Sequence, residues 1–307
     1  MSETGPAKKM LPTWTFALLL LPVVALLGYT FFFSQGKSND FVFDPANVAE
    51  LQIKGAQSDT ASSWSELSVP PEPASDAKLL ARGKELYTKA CAACHGDDGK
   101  GEGPLVVKLD LNPRPANFTL PVRFIKLRST EAGTLPLDED LFRSVTRGLP
   151  GTAMLSFRAL SDDERWALVE YVKQFWSGDK RWPAPKPLAI PKQIPESPEL
   201  LEFGRKEFTT YCRNCHGDDG TGEAAQAFPF HRQYPAIRMT HSGGKFLARG
   251  SSEKDLALTL LAGSSGSSPM MSFITTFYEN LPRETGDKRL WGTVYYTRKL
   301  IEAQKGK

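Results

Sequence analysis

No cysteine in this 307-residue chain is to spare: all four lie in two short motifs, Cys91 to Cys94 and Cys212 to Cys215, and none stands outside them for a structural disulfide. Histidine is as scarce, with four in total: His95, His216, His231 and His241. No dense basic tract occurs, and the formal charge is only +3, which argues against a nucleic-acid partner and against an enzyme built for acidic substrates. Charge is missing altogether from residues 11–33, and a sustained hydrophobic period is missing from residues 35–75. The remainder carries enough apolar residues for two ordinary domains and gives no sign of wholesale disorder.

What the chain does have, it has twice. Cys91-Ala92-Ala93-Cys94-His95 and Cys212-Arg213-Asn214-Cys215-His216 share the CxxCH spacing, and their flanks repeat as well: Gly83-Lys84-Glu85 against Gly204-Arg205-Lys206, and Gly96-Asp97-Asp98-Gly99 against Gly217-Asp218-Asp219-Gly220. A duplication of this length sets the organisation of the chain before any other feature. Two thiols on one helical turn can add to the two vinyl groups of a porphyrin while the next imidazole ligates its iron. The rival chemistry is zinc, with the two pairs pooled into one four-cysteine site. It gives no reason for a histidine directly after each pair, so the expected cofactors are two haem c groups, held through Cys91, Cys94, Cys212 and Cys215.

The surrounding patterns are helical. Asp76 is placed to cap a helix running into the first motif. Leu137 to Val145 reads as a short helix, and Ser161-Asp162-Asp163-Glu164 is a capping box opening a helix over Arg165 to Trp176. In the second copy the last helix is expected from about Lys288 to Ala303, with Trp291 and Tyr296 at the spacing of Trp166 and Tyr171. Gly83 and Gly204 are expected where the first and last helices of each copy cross closely, with Tyr87 and Phe208 one turn on.

At this point the chain resembles the class I cytochrome c family in diheme form, from Asp76 to the C-terminus. The resemblance implies an all-α fold of two tandem class I cytochrome c domains. It also implies a methionine opposite each histidine on the iron: Met154 in the first copy, and in the second Met270, with Met271 as competitor. His231 and His241 lie too far upstream for that loop. A proline-flanked carbonyl is implied as acceptor for the other ring N–H of each histidine, which places the segments around Pro115 and Pro235 beside the haems. Arg114 is a candidate partner for a haem propionate, with a solvent-exposed loop arginine as the competing reading.

The predicted organisation is a cytoplasmic end and transmembrane anchor at 1–34, a linker at 35–75, haem domain 1 at 76–182, a Pro-rich spacer at 183–198 and haem domain 2 at 199–307. Residues 11–33, about 23 of them, are long enough at roughly 1.5 Å each to cross about 30 Å of hydrocarbon, and Lys8 and Lys9 before them keep the N-terminus inside. The expected place is a bacterial inner membrane with the haem domains on the periplasmic side. The expected function is single-electron transfer among redox protein partners: a quinol-oxidising complex, an oxidase or a soluble cytochrome. A diheme oxidoreductase, peroxidase-like or thiosulfate dehydrogenase-like, is the alternative of another class, and a haem subunit of a larger respiratory complex is a third. A methionine at both sixth positions and the lack of a further cysteine favour a carrier over an enzyme.

Overall fold

The computed structural model describes residues 63–304 apart from 112, 125–126, 223–246 and 264–269. The anchor predicted at 11–33, and with it Pro235, His231 and His241, lies outside those residues. The described residues form helices α1 (Ala77–Ala90), α2 (Ala92–His95), α3 (Pro104–Lys108), α4 (Pro121–Phe124), α5 (Asp138–Arg147) and α6 (Asp162–Lys173), followed by α7 (Pro198–Tyr211), α8 (Arg213–His216), α9 (Glu253–Ala262), α10 (Ile274–Tyr278) and α11 (Arg283–Ala303). Among them there is no strand, only an isolated bridge between Thr130 and Pro187, so the described chain is all-α. No described helix is long and apolar enough to cross a membrane.

The helices begin where capping chemistry puts them. The Asp76 side chain accepts from Leu79 N at 2.7 Å at the start of α1, and Ser197 accepts from Leu200 N at 3.1 Å at the start of α7. Caps of this kind are worth roughly 0.5–2 kcal/mol each. Ser161 and Glu164 form the predicted capping box at α6. That helix ends at Lys173 rather than Trp176, and α11 starts at Arg283, five residues before the expected Lys288, because Pro282 supplies its N-terminal boundary.

Two helix crossings build the frame. A Cβ on Gly83 would stand 2.0 Å from the Ala167 carbonyl oxygen, and one on Gly204 would stand 1.8 Å from that of Gly292. Only a residue without a side chain lets α1 meet α6, and α7 meet α11, at that distance. One turn on, Tyr87 packs on Tyr171 with ring centroids 5.2 Å apart, and Phe208 packs on Tyr296 at 5.4 Å. The first crossing is continuous with a larger core; in the second, Phe208 and Tyr296 form a small cluster with Leu247 and Leu300, while Leu200 of α7 joins the second core. One core contains Leu86, Phe142, Trp166 and Val169, the other Leu256, Leu260, Leu290, Trp291 and Val294.

The described end of the segment read from sequence as a tether, from residue 63, and the segment read as a spacer are tied down. The Trp64 side chain is fully buried against Leu127 and Leu258, and its indole N–H donates to Ser144 Oγ at 3.1 Å. Ser65 N donates to Asp255 at 2.9 Å. The prolines at 183–195 remain extended, but Leu135 N bonds the Pro183 carbonyl and Leu188 N the Ser129 carbonyl, while Ile190 and Ile194 pack on the second core. Proline removes donors from these stretches; the neighbouring segments supply the missing pairing.

Candidate haem site

The first motif is set by the end of α1. Cys91 N closes the helix on the Tyr87 carbonyl at 2.8 Å, His95 N bonds the Cys91 carbonyl at 2.8 Å, and Gly101 N bonds the His95 carbonyl at 2.8 Å. This short turn presents both thiols and the imidazole from one local unit. The second motif reproduces it: Cys212 N to Phe208 O at 2.8 Å, His216 N to Cys212 O at 3.0 Å, and Gly222 N to His216 O at 2.7 Å. The backbone at the first cysteine agrees as closely, φ −110° and ψ −38° at Cys91 against −112° and −37° at Cys212.

His95 is buried, and its Nδ1 lies 3.2 Å from the Ala116 carbonyl oxygen. A carbonyl only accepts, so Nδ1 carries the hydrogen and Nε2 keeps its lone pair for a metal. Burial pulls the imidazole down to about 4, against a smaller upward push from the Ala116 bond, so the ring is neutral at pH 7. The acceptor stands one residue past Pro115, inside the segment expected for it. Burial also pushes the Cys91 and Cys212 thiols up to about 12. Both are therefore neutral thiols at pH 7.

His95 opens into a cavity of about 360 Å³ whose walls are mostly apolar, including Leu105, Leu127, Leu141, Leu149, Phe157 and Val169. Cys91, Cys94 and Pro115 line it, and so does Met154. Arg114 reaches the lining from an exposed position. The donor set fits a covalently held haem: two thiols for thioether bonds, an imidazole with a free lone pair, a thioether sulfur, and an apolar enclosure for a flat macrocycle.

Met154 is carried by a turn that Gly148 starts. Gly148 ends α5 at φ 69°, and a Cβ there would strike the Met154 carbonyl oxygen at 2.7 Å. Leu149 N bonds that same carbonyl at 3.0 Å, and Phe157 N returns to Val145 O at 3.0 Å. The described ends of the second loop, which has one more residue between its glycine and its methionine, repeat this pattern. Gly263 ends α9 at φ 66°, its absent Cβ faces the Met270 carbonyl oxygen at 2.9 Å, and Phe273 N bonds Leu260 O at 2.8 Å. Met270 thus stands where Met154 stands and packs against the second core, whereas Met271 is 67% exposed.

Sequence reasoning did not single out the buried charges around α5 and α9. Asp140 and Asp255 are both 0% exposed, at matching places in the two helices. Asp140 accepts from Ser129 N at 2.7 Å and from Ser129 Oγ at 2.8 Å, and burial raises its carboxyl above the usual range despite those bonds. The residue before Ser129 is the buried Arg128, and the residue before Gly250, which faces Asp255, is the buried Arg249. In sequence the signal is only Arg-Ser before one short helix and Arg-Gly before another, too common to flag.

Residues 78–172 match the family described as cytochrome C oxidase, cbb3-type, subunit III. No curated protein matches the chain. Among solved structures it is similar to a chain of the Kuenenia stuttgartiensis reducing HAO-like protein complex, at 28% identity and a TM-score of 0.59, over 76% of this chain and 99% of that one.

Proposed function

The chain is a c-type cytochrome, and from that premise we propose that it holds two haem c groups in tandem and passes single electrons between redox protein partners. The observation that carries the reading is the repetition, among the described residues, of the motif hydrogen bonds of Cys91 to Gly101 at Cys212 to Gly222, and of the Gly148, Met154 and Phe157 contacts at Gly263, Met270 and Phe273. The haem supplies one-electron iron chemistry when bound. The residues around it do the rest. Cys91, Cys94, Cys212 and Cys215 would hold the two porphyrins, and His95 and His216 would each ligate an iron. His95 is oriented by the Ala116 carbonyl, next to Pro115; for the second haem the segment around Pro235, outside the described residues, is the candidate for that role. Met154 and Met270 would supply a second ligand to each iron, which would leave no open site for substrate and favours a carrier over a peroxidase-like or thiosulfate dehydrogenase-like enzyme. Arg114, at the cavity lining, is available to a propionate.

The arrangement proposed is two class I cytochrome c domains at 76–182 and 199–307, on the periplasmic side of a bacterial inner membrane, anchored by 11–33. The similarity to a chain of a redox complex favours one further reading, in which this cytochrome is a haem subunit seated in a larger assembly. Either way, protein from carbonate-washed membranes should titrate in two one-electron steps, keep a low-spin spectrum in both states and leave carbon monoxide unbound. Release by the wash would remove the anchor. A high-spin or carbon monoxide-binding haem in the untreated protein would favour an enzyme.

A further inference from the structure

The broad helix pairings, α1 with α6 and α7 with α11, each stay within one repeat, and among the described helices none of the first repeat packs broadly on one of the second. Direct links between the repeats include the bonds from Arg147 to the Ala248 carbonyl and from Arg249 Nη2 to the Arg128 carbonyl at 2.8 Å. The core of the junction comes from elsewhere in the chain. Trp64 precedes both repeats in sequence, yet it is 0% exposed. It packs with Leu127 and Leu149 of the first repeat, Leu258 and Ala248 of the second, and Ile190 of the spacer. An indole buried so completely between two domains is more than the end of a tether.

The polar contacts of this segment are divided between the repeats. Trp64 N donates to the Arg249 carbonyl at 2.9 Å, Ser65 N to Asp255 Oδ1 at 2.9 Å, and Lys254 Nζ to the Ser65 carbonyl at 3.2 Å, all with the second repeat. With the first repeat, the indole N–H donates to Ser144 Oγ at 3.1 Å and Arg143 Nε to the Leu67 carbonyl at 3.4 Å. The Ser144 hydroxyl donates to the Asp140 carbonyl at 2.8 Å, so its oxygen is left to accept the indole. The ring also meets one cation from each repeat, with the Arg143 guanidinium 5.6 Å and the Arg249 guanidinium 5.2 Å from its centroid. Two like charges brought to one place repel each other, and an aromatic face attracts both. That is a reason for tryptophan here, beyond its bulk.

The helices joined in this way are α5, which carries Ser144, and α9, which carries Asp255 and Leu258. They end at Gly148 and Gly263, the glycines that precede Met154 and Met270. Ser144, Leu127 and Leu149 also line the first cavity. Resting on the two-haem reading, we propose that residues 63–67 are a clasp that holds α5 to α9 and so fixes the two haem sites relative to each other, with Trp64 as the positioning residue for electron exchange between them. Trp64 acts through the two helices and carries no electron itself. Exchange between two centres falls steeply with their separation, so a junction free to open slows it.

The test uses the full-length, detergent-solubilised protein and its Trp64→Gly variant, the latter with and without free indole, which can enter the apolar cavity the substitution leaves. Haem-to-haem electron exchange after flash reduction is measured beside the haem content and the amide hydrogen exchange of residues 127–130 and 254–258. Expected in Trp64→Gly are unchanged haem content and low-spin spectra, slower electron exchange, and lost amide protection in both repeats; indole restores the rate and the protection. A wild-type rate with wild-type protection would overturn the clasp and leave the segment merely resting on the junction. Protection lost in one repeat only would make Trp64 a core residue of that repeat and overturn it as well. Should Trp64→Gly fail to mature, the wild-type amides of Trp64 and Ser65 decide: protection equal to that of α5 and α9 supports the clasp, and exchange as fast as in a frayed terminus refutes it. A wild-type haem content of one would sink the two-haem reading instead, and the amide protection would still test the clasp.

Discussion

A methionine thioether is a weak ligand that binds haem iron only when the backbone delivers it, so the turn around each methionine matters as much as the sulfur. Gly148 and Gly263 adopt positive φ at the same place, and each makes room for a carbonyl that a side chain would strike. This predicts that Met154→Ala and Met270→Ala each remove about half of the methionine–iron absorption and lower one potential. Met271→Ala should leave the spectrum as it was. Loss of the signal in Met271→Ala, with Met270→Ala silent, would reverse the assignment. The residues that a sequence shows by type and spacing, Cys91, Cys94, His95 and Met154, come together around one cavity. The acceptor for His95 was legible to within a residue, at Ala116 rather than Pro115. Arg128, Arg249, Asp140 and Asp255 were not, because a charged residue in a sequence looks like a solvated one until its burial is known.

At the scale of elements, the two crossings are the clearest product of the duplication. Gly83→Ala would place a methyl group inside the van der Waals radius of the Ala167 carbonyl oxygen. With backbone on both sides, α1 and α6 must separate, and overpacking of this kind costs about 1–3 kcal/mol or more. The holoprotein should melt several degrees lower, with its haem still attached. An unchanged melting temperature would mean that the helices do not meet at Gly83. Helices with a capping residue and one apolar face were readable, as α1 and α6 demonstrate. The helix α9 was not, since Leu256, Ala257, Leu258, Leu260, Leu261 and Ala262 are buried on nearly every face and leave no stripe to detect. The contacts of the extended segments were not legible, for the opposite reason. Residues 63–75 and 183–195 have no period, yet Trp64 is fully buried and Leu188 is hydrogen-bonded to Ser129. Their order comes from what they pack against.

For the whole molecule, the two motifs, two glycine crossings, two glycine–methionine contacts and two buried Arg–Asp units all bear on the proposal that each half of the chain from residue 76 onward holds a haem and that the pair passes electrons. A module with its turn intact and its cysteines in place attaches its cofactor irreversibly. The most direct measurement is therefore the haem-to-chain ratio of the purified, denatured protein, by pyridine haemochrome against a quantitative amino-acid analysis. The account predicts a ratio of two, with all the haem remaining on the polypeptide in acid acetone, falling to one in the Cys212→Ala/Cys215→Ala variant. A ratio of one in the wild type, or haem that acid acetone extracts, would contradict it.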